Sequence, residues 1–120
     1  MYRPYSRLSD GRAISFNNGS KYGAIRTYSE LCERTFDSKL EARIADELML
    51  RQRAGEITNL EFQVPFLLCK KPNIKLKVDF KYTEAGIVKY SDAKGKQTRE
   101  ARVKMAWVSE KYGINIELVR

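Results

Sequence analysis

Between Pro72 and Gly95 the chain spells out two strands and the turn that joins them. Ile74, Leu76, Val78, Phe80 and Tyr82 alternate with Lys75, Lys77, Asp79 and Lys81. A period of two held over that length predicts a strand with one apolar and one polar face. Glu84-Ala85-Gly86 predicts a hairpin turn, and Ile87 to Ala93 the returning strand. Asp79 falls on the polar face among three lysines. Asp92 and Lys94 stand two residues apart, so in extended chain both project to the same side. A neighbouring strand could bring Asp79 alongside them.

Two carboxylates and an ammonium on one patch would hold a hard divalent cation and leave a positive charge for a phosphate. That is the equipment of metal-assisted phosphodiester hydrolysis. The spacing alone is common, because Asp37/Lys39, Asp79/Lys81 and Asp92/Lys94 all show it, and a solvated surface accounts for an isolated pair. The last pair differs in context. It lies late in a strand, follows a strand Asp and runs into Gly95.

The 120 residues, 42% hydrophobic and 32% charged, suit one soluble domain with a single core. No apolar run approaches the length of a membrane span, and no signal peptide is visible at Met1. Cys32 and Cys69 are isolated, which points to free thiols and an intracellular, cytoplasmic setting. The chain has no histidine, which removes Ser-His-Asp and Cys-His catalysis and histidine-metal hydrolysis. Hydrolytic chemistry would have to run on carboxylates, lysine and a metal. A net charge of +8 calls for a polyanionic partner, most simply nucleic acid.

Residues 1–20 mix tyrosine and arginine without periodicity and read as a basic arm, either ordered on binding or a free terminus. A short hairpin is expected around Glu30 to Arg34. Ser38 can cap a helix with Glu41 three residues on, and Leu40, Ile44 and Leu48 line its apolar face before Gly55 stops it. Leu60 to Leu68 reads as a strand that Pro65 places at an edge or a bulge. Thr98 can cap a second helix whose Val103, Ala106 and Trp107 form an inward stripe, with Trp107 in the core. Tyr112-Gly113 closes it, and Ile114, Ile116 and Leu118 mark a last strand. The order is helix, three strands, helix, strand: an α/β fold around a mixed central sheet, in which a crossover helix permits parallel pairing.

An acid on the first helix, Asp on the second strand, acid-x-Lys on the third, then a helix and a strand resembles the PD-(D/E)XK nuclease superfamily, with its restriction-endonuclease-like core. The likeness is strongest to small phage-encoded nucleases, through Lys21-Tyr22-Gly23-Ala24-Ile25, Phe36-Asp37-Ser38-Lys39-Leu40-Glu41-Ala42 and Ala54-Gly55-Glu56-Ile57. The layout, with Val64-Pro65-Phe66 before the two acidic strands, is similar to bacteriophage endonuclease I, a Holliday-junction resolvase. The resemblance covers Lys21 to Val119 and makes 21–120 the nuclease domain. It departs from the usual pattern at Val78, where a Pro is common, and at Asp92, where Glu is frequent.

The resemblance implies that Glu41, Asp79, Asp92 and Lys94 are the active-site positions of a metal-dependent endodeoxyribonuclease. Asp79 and Asp92 would ligate Mg²⁺ or Mn²⁺, with the Ala93 carbonyl as a further oxygen donor. Lys94 would stabilise charge on the scissile phosphate. Glu41 has two readings, a capping residue or a third metal ligand. Gln63 reads either as an exposed strand residue or as a contact to metal-bound water or DNA. Lys96, Arg99, Arg102 and Lys104 form either a phosphate-gripping rim or a solvated helix face. By resemblance the substrate is branched DNA and the enzyme a homodimer. The competing readings are a sequence-specific or nicking endonuclease of the same superfamily, and a DNA-binding or assembly module without turnover.

Overall fold

The computed structural model describes residues 25–94 and 97–120; the basic arm at 1–20 and Lys96 lie outside them. The chain divides into two compact units, 1–42 and 43–120. In the first, strands β1 (Thr27–Ser29) and β2 (Arg34–Phe36) pair antiparallel, the short hairpin expected there. Helix α1 (Lys39–Arg53) begins in this unit and continues into the second. Ser38 caps it, its Oγ accepting the Glu41 N–H at 3.0 Å.

The second unit is built on a four-stranded sheet of order β3-β4-β5-β6. Strands β3 (Thr58–Cys69), β4 (Ile74–Glu84) and β5 (Ile87–Ala93) form an antiparallel meander. Helix α2 (Arg99–Tyr112) then carries the chain to β6 (Ile116–Val119), which pairs parallel to β5. The sheet is therefore mixed, because only the connection through α2 is long enough to reverse direction twice. Pro65 sits in β3, an edge strand, where a missing N–H costs no ladder bond on the open side. Ala85 and Gly86 turn the β4–β5 hairpin with φ of 52° and 78°. Two positive φ values in a two-residue loop match the right-handed twist of the flanking strands, and glycine takes such a value without strain.

The alternation in β4 decides what is inside. Val78, Phe80 and Tyr82 are buried, whereas Lys75 and Lys77 are exposed and Asp79 and Lys81 are partly so. Phe62 meets Phe80 edge-on at 6.0 Å between ring centres. Phe66 does the same with Tyr112 at 5.0 Å. From α1, Ile44, Ala45 and Leu48 are buried at helical spacing. Arg51 joins that helix to the hairpin by pairing with Glu56 at 3.0 Å and with Glu84 at 2.5 Å.

Helix α2 corrects one expectation. Thr98 caps it as foreseen, accepting the Ala101 N–H at 3.0 Å, and Gly113 ends it in the left-handed conformation. Its buried residue, however, is Val108, with Ala101 and Met105 half-buried on the same stripe. Trp107 is 39% exposed and Val103 56%, so the Trp107 stripe is not core. The helix carries two apolar stripes about 150° apart, on nearly opposite faces. The one that faces the sheet is chosen at the C-terminal end. There Tyr112 Oη donates to the Leu67 carbonyl at 2.6 Å and Lys111 Nζ to the Leu68 carbonyl at 3.1 Å.

Candidate functional site

Asp79 and Asp92 meet because β4 and β5 are neighbours in register. Phe80 pairs with Ser91, which sets Asp79 one step before and Asp92 one step after that pair. The two acids are then tied through the backbone. The Asp79 N–H donates to Asp92 Oδ1 at 3.0 Å, and the Ala93 N–H donates to Asp79 Oδ2 at 2.9 Å. Each carboxylate is held by the other residue's strand, so neither can rotate away alone.

A third residue completes this arrangement. Gln63 Nε2 donates to Asp79 Oδ1 at 3.1 Å. In the β3–β4 ladder Phe62 pairs with Phe80 and Val64 with Val78, which sets Gln63 opposite Asp79. Gln63 has a φ of 55°, in the left-handed region that a non-glycine residue avoids. That costs about 1–2 kcal/mol, and strain of this kind gathers at functional sites. The exposed-strand reading of Gln63 therefore gives way to one in which it braces Asp79. Reflecting Asp79 through the Pro72-Asn73 turn lands on Phe66, three residues from Gln63, so the observed register was not legible in the turn.

The electrostatics are set by partial burial. Desolvation holds the Asp92 carboxyl above its ordinary value, opposed by the hydrogen bond from the Asp79 N–H and by the charge of Lys94. A side-chain hydrogen bond with Asp79 acts in the same lowering direction. Lys94 is lowered, first by desolvation and then by repulsion from Arg120 and Arg102, with Asp92 acting the other way. Its own N–H is fixed to the Val119 carbonyl at 2.7 Å. Lys94, Arg102 and Arg120 make no ion pair among the described residues and form a cationic border beside the acid pair. Arg120 escaped the sequence reading, although the Ala93–Val119 pairing puts it level with Lys94.

Of the other candidates, Glu41 is buried, 5% exposed, in the first turn of α1 within the N-terminal unit. Among the described residues no group of three acidic, Cys or His side chains is close enough to hold a metal ion, so the grouping is the Asp79–Asp92 pair. Lys104 is paired with Glu100 at 3.1 Å. Arg99 and Lys104 border an open groove along α2 whose lining does not include Lys94. Among the described residues no helix is long and apolar enough to cross a membrane.

No curated protein and no solved structure matches this chain. A family profile described as "Protein of unknown function (DUF1064)" matches residues 19–119, which takes in every element described above. The chain belongs to the DUF1064 family.

Proposed function

We propose that this protein is a Mg²⁺-dependent endodeoxyribonuclease that hydrolyses phosphodiester bonds by direct attack of water, without a covalent intermediate. The observation that carries the reading is the interlocked Asp79–Asp92 pair with Lys94 two residues beyond it. The pair fits a hard cation. Its oxygens lie on two fixed, neighbouring strands, and both carboxylates are partly buried. A divalent metal held there supplies Lewis-acid polarisation of a phosphate oxygen and a more acidic water.

Each protein group then has a task. Asp79 and Asp92 supply ligands, with the Ala93 carbonyl as a further oxygen donor. Gln63 fixes the direction in which Asp79 Oδ1 points. Lys94 neutralises charge that grows on the phosphate and orients the attacking water. Arg102 and Arg120 draw the backbone of DNA toward the pair. Branched DNA is the favoured substrate, on the likeness to phage junction resolvases. Resolution of a junction needs two opposed cuts, which a two-fold homodimer supplies.

The test is cleavage of a supercoiled plasmid, then of matched linear, single-stranded, flap and four-way-junction DNA, each with Mg²⁺, Mn²⁺ or EDTA. Metal-dependent cutting that is strongest on branched substrates is expected. Binding without cutting in either metal would leave a DNA-binding module. Equal nicking of linear duplex by a monomer would favour the nicking endonuclease.

A further inference from the structure

Trp107 has no role in the site described. Its indole is 39% exposed and makes no ring contact or hydrogen bond among the described residues. It lies in an open groove of about 630 Å³ with Val103, Ile74, Asn73, Lys75 and Arg99. Glu100 and Lys104, paired with each other, complete the wall. The floor is apolar and aromatic, and the two unpaired charges on the rim, Lys75 and Arg99, are positive.

That combination selects one class of occupant. An apolar peptide would fill the floor but gain nothing from Lys75 and Arg99. A duplex presents phosphates but keeps its base faces stacked away. A single-stranded or unpaired nucleotide satisfies both, because its base stacks on an aromatic face while its phosphate meets the cations. The position agrees with this. Arg99, Val103 and Trp107 are four residues apart in turn and share one face of α2. Arg102, on the same helix, repels Lys94 beside the acid pair. Trp107 and Arg102 are five residues and about 140° apart around the same helix, so the groove opens on a different side of α2 from Arg102.

We infer that the groove between Trp107 and Ile74 is a stacking site for an unpaired base, with Arg99 and Lys75 as its phosphate contacts. The site rests on the nuclease reading for its nucleic-acid substrate and sharpens it: the preferred DNA carries unpaired bases. Strand ends, flaps and open junction centres provide such bases.

Trp107 is the single tryptophan of the chain, so its emission reports the groove directly. The full protein in EDTA, which prevents cutting, is titrated with oligo-dT and with a blunt hairpin duplex. Fluorescence anisotropy of labelled DNA measures binding independently. Oligo-dT is expected to quench the emission and the duplex to leave it nearly unchanged. Trp107→Ala should weaken oligo-dT binding about 5- to 150-fold with little effect on the duplex, and Trp107→Phe should restore most of the loss. Oligo-dT binding with unchanged emission and equal affinity in Trp107→Ala would overturn the stacking site and leave the nuclease reading standing. No binding of either DNA at low salt would overturn both. Emission that changes with protein concentration alone, together with dimer formation through the groove, would make it a self-association face and also overturn the proposal.

Discussion

Gln63 stands opposite Asp79 across the β3–β4 ladder, in a left-handed backbone conformation, and gives its side-chain N–H to Asp79 Oδ1 at 3.1 Å. Mid-strand strain in a residue that touches the acid pair separates two effects that are usually entangled, backbone cost and side-chain use. Replacing the side chain removes the brace; replacing it with glycine also removes the strain.

Gln63→Ala is therefore expected to lower cleavage about 10- to 100-fold, with a higher Mg²⁺ requirement, as loss of a group that orients a ligand does. Gln63→Gly should lose as much activity yet unfold later than Gln63→Ala, by about 1 kcal/mol. Paired denaturation curves and nicking rates check both halves. Equal stability of the two variants would mean that the φ of Gln63 carries no cost.

Asp79 accepts hydrogen bonds from the Gln63 side chain and from the Ala93 backbone. Asp79→Asn should fold normally, because the Gln63 amide can turn over and offer its oxygen, but should lose cleavage while retaining DNA binding. Asp79→Ala leaves the partly buried Ala93 N–H without its acceptor and should cost about 1–3 kcal/mol. Thermal unfolding distinguishes the two variants. Wild-type nicking by folded Asp79→Asn would remove Asp79 from the mechanism.

The pH dependence of stability should carry the mark of Asp92. Its carboxyl is raised by burial in the metal-free fold. A raised value means that the folded state binds a proton more readily than the unfolded chain, so stability is higher below that value and is lost as pH rises through it. Asp92→Asn removes the charge and keeps an acceptor for the Asp79 N–H. In EDTA the variant should melt above wild type at neutral pH. The gap should close as pH falls and vanish below the ordinary Asp value of about 3.9. Mg²⁺ should raise the melting temperature of wild type but not of Asp92→Asn.

Lys94→Ala should lower cleavage about 10²- to 10³-fold while the Mg²⁺-induced rise in melting temperature persists, since Lys94 acts on the phosphate. Neutralising Arg102 and Arg120 together should flatten the plot of log affinity against log salt by about two if both displace counterions. An unchanged slope would return them to solvent.

What could be read from the sequence follows from which forces were local. The β4 alternation, the Ala85-Gly86 turn and the caps at Ser38 and Thr98 depend on neighbours in sequence, and all appear where their residues place them. Asp79 and Asp92 could be paired because one short hairpin joins their strands. The burial of α2 could not be read, because Val103/Trp107 and Met105/Val108 are both credible stripes. The choice between them is made by Lys111 and Tyr112 reaching carbonyls on β3, more than forty positions away. Arg120 was missed for the same reason: its place depends on the parallel β5–β6 register.

That parallel register also sets an order of assembly. The acid pair sits on a meander of adjacent strands, whose contacts close early and locally. Lys94 is pinned by the Val119 carbonyl, and β6 can dock only after α2 has crossed over. Long-range parallel pairings form late. In the proposed nuclease the acid pair would form before Lys94 is pinned, so a chain whose last strand has not docked would bind a metal ion without cutting DNA.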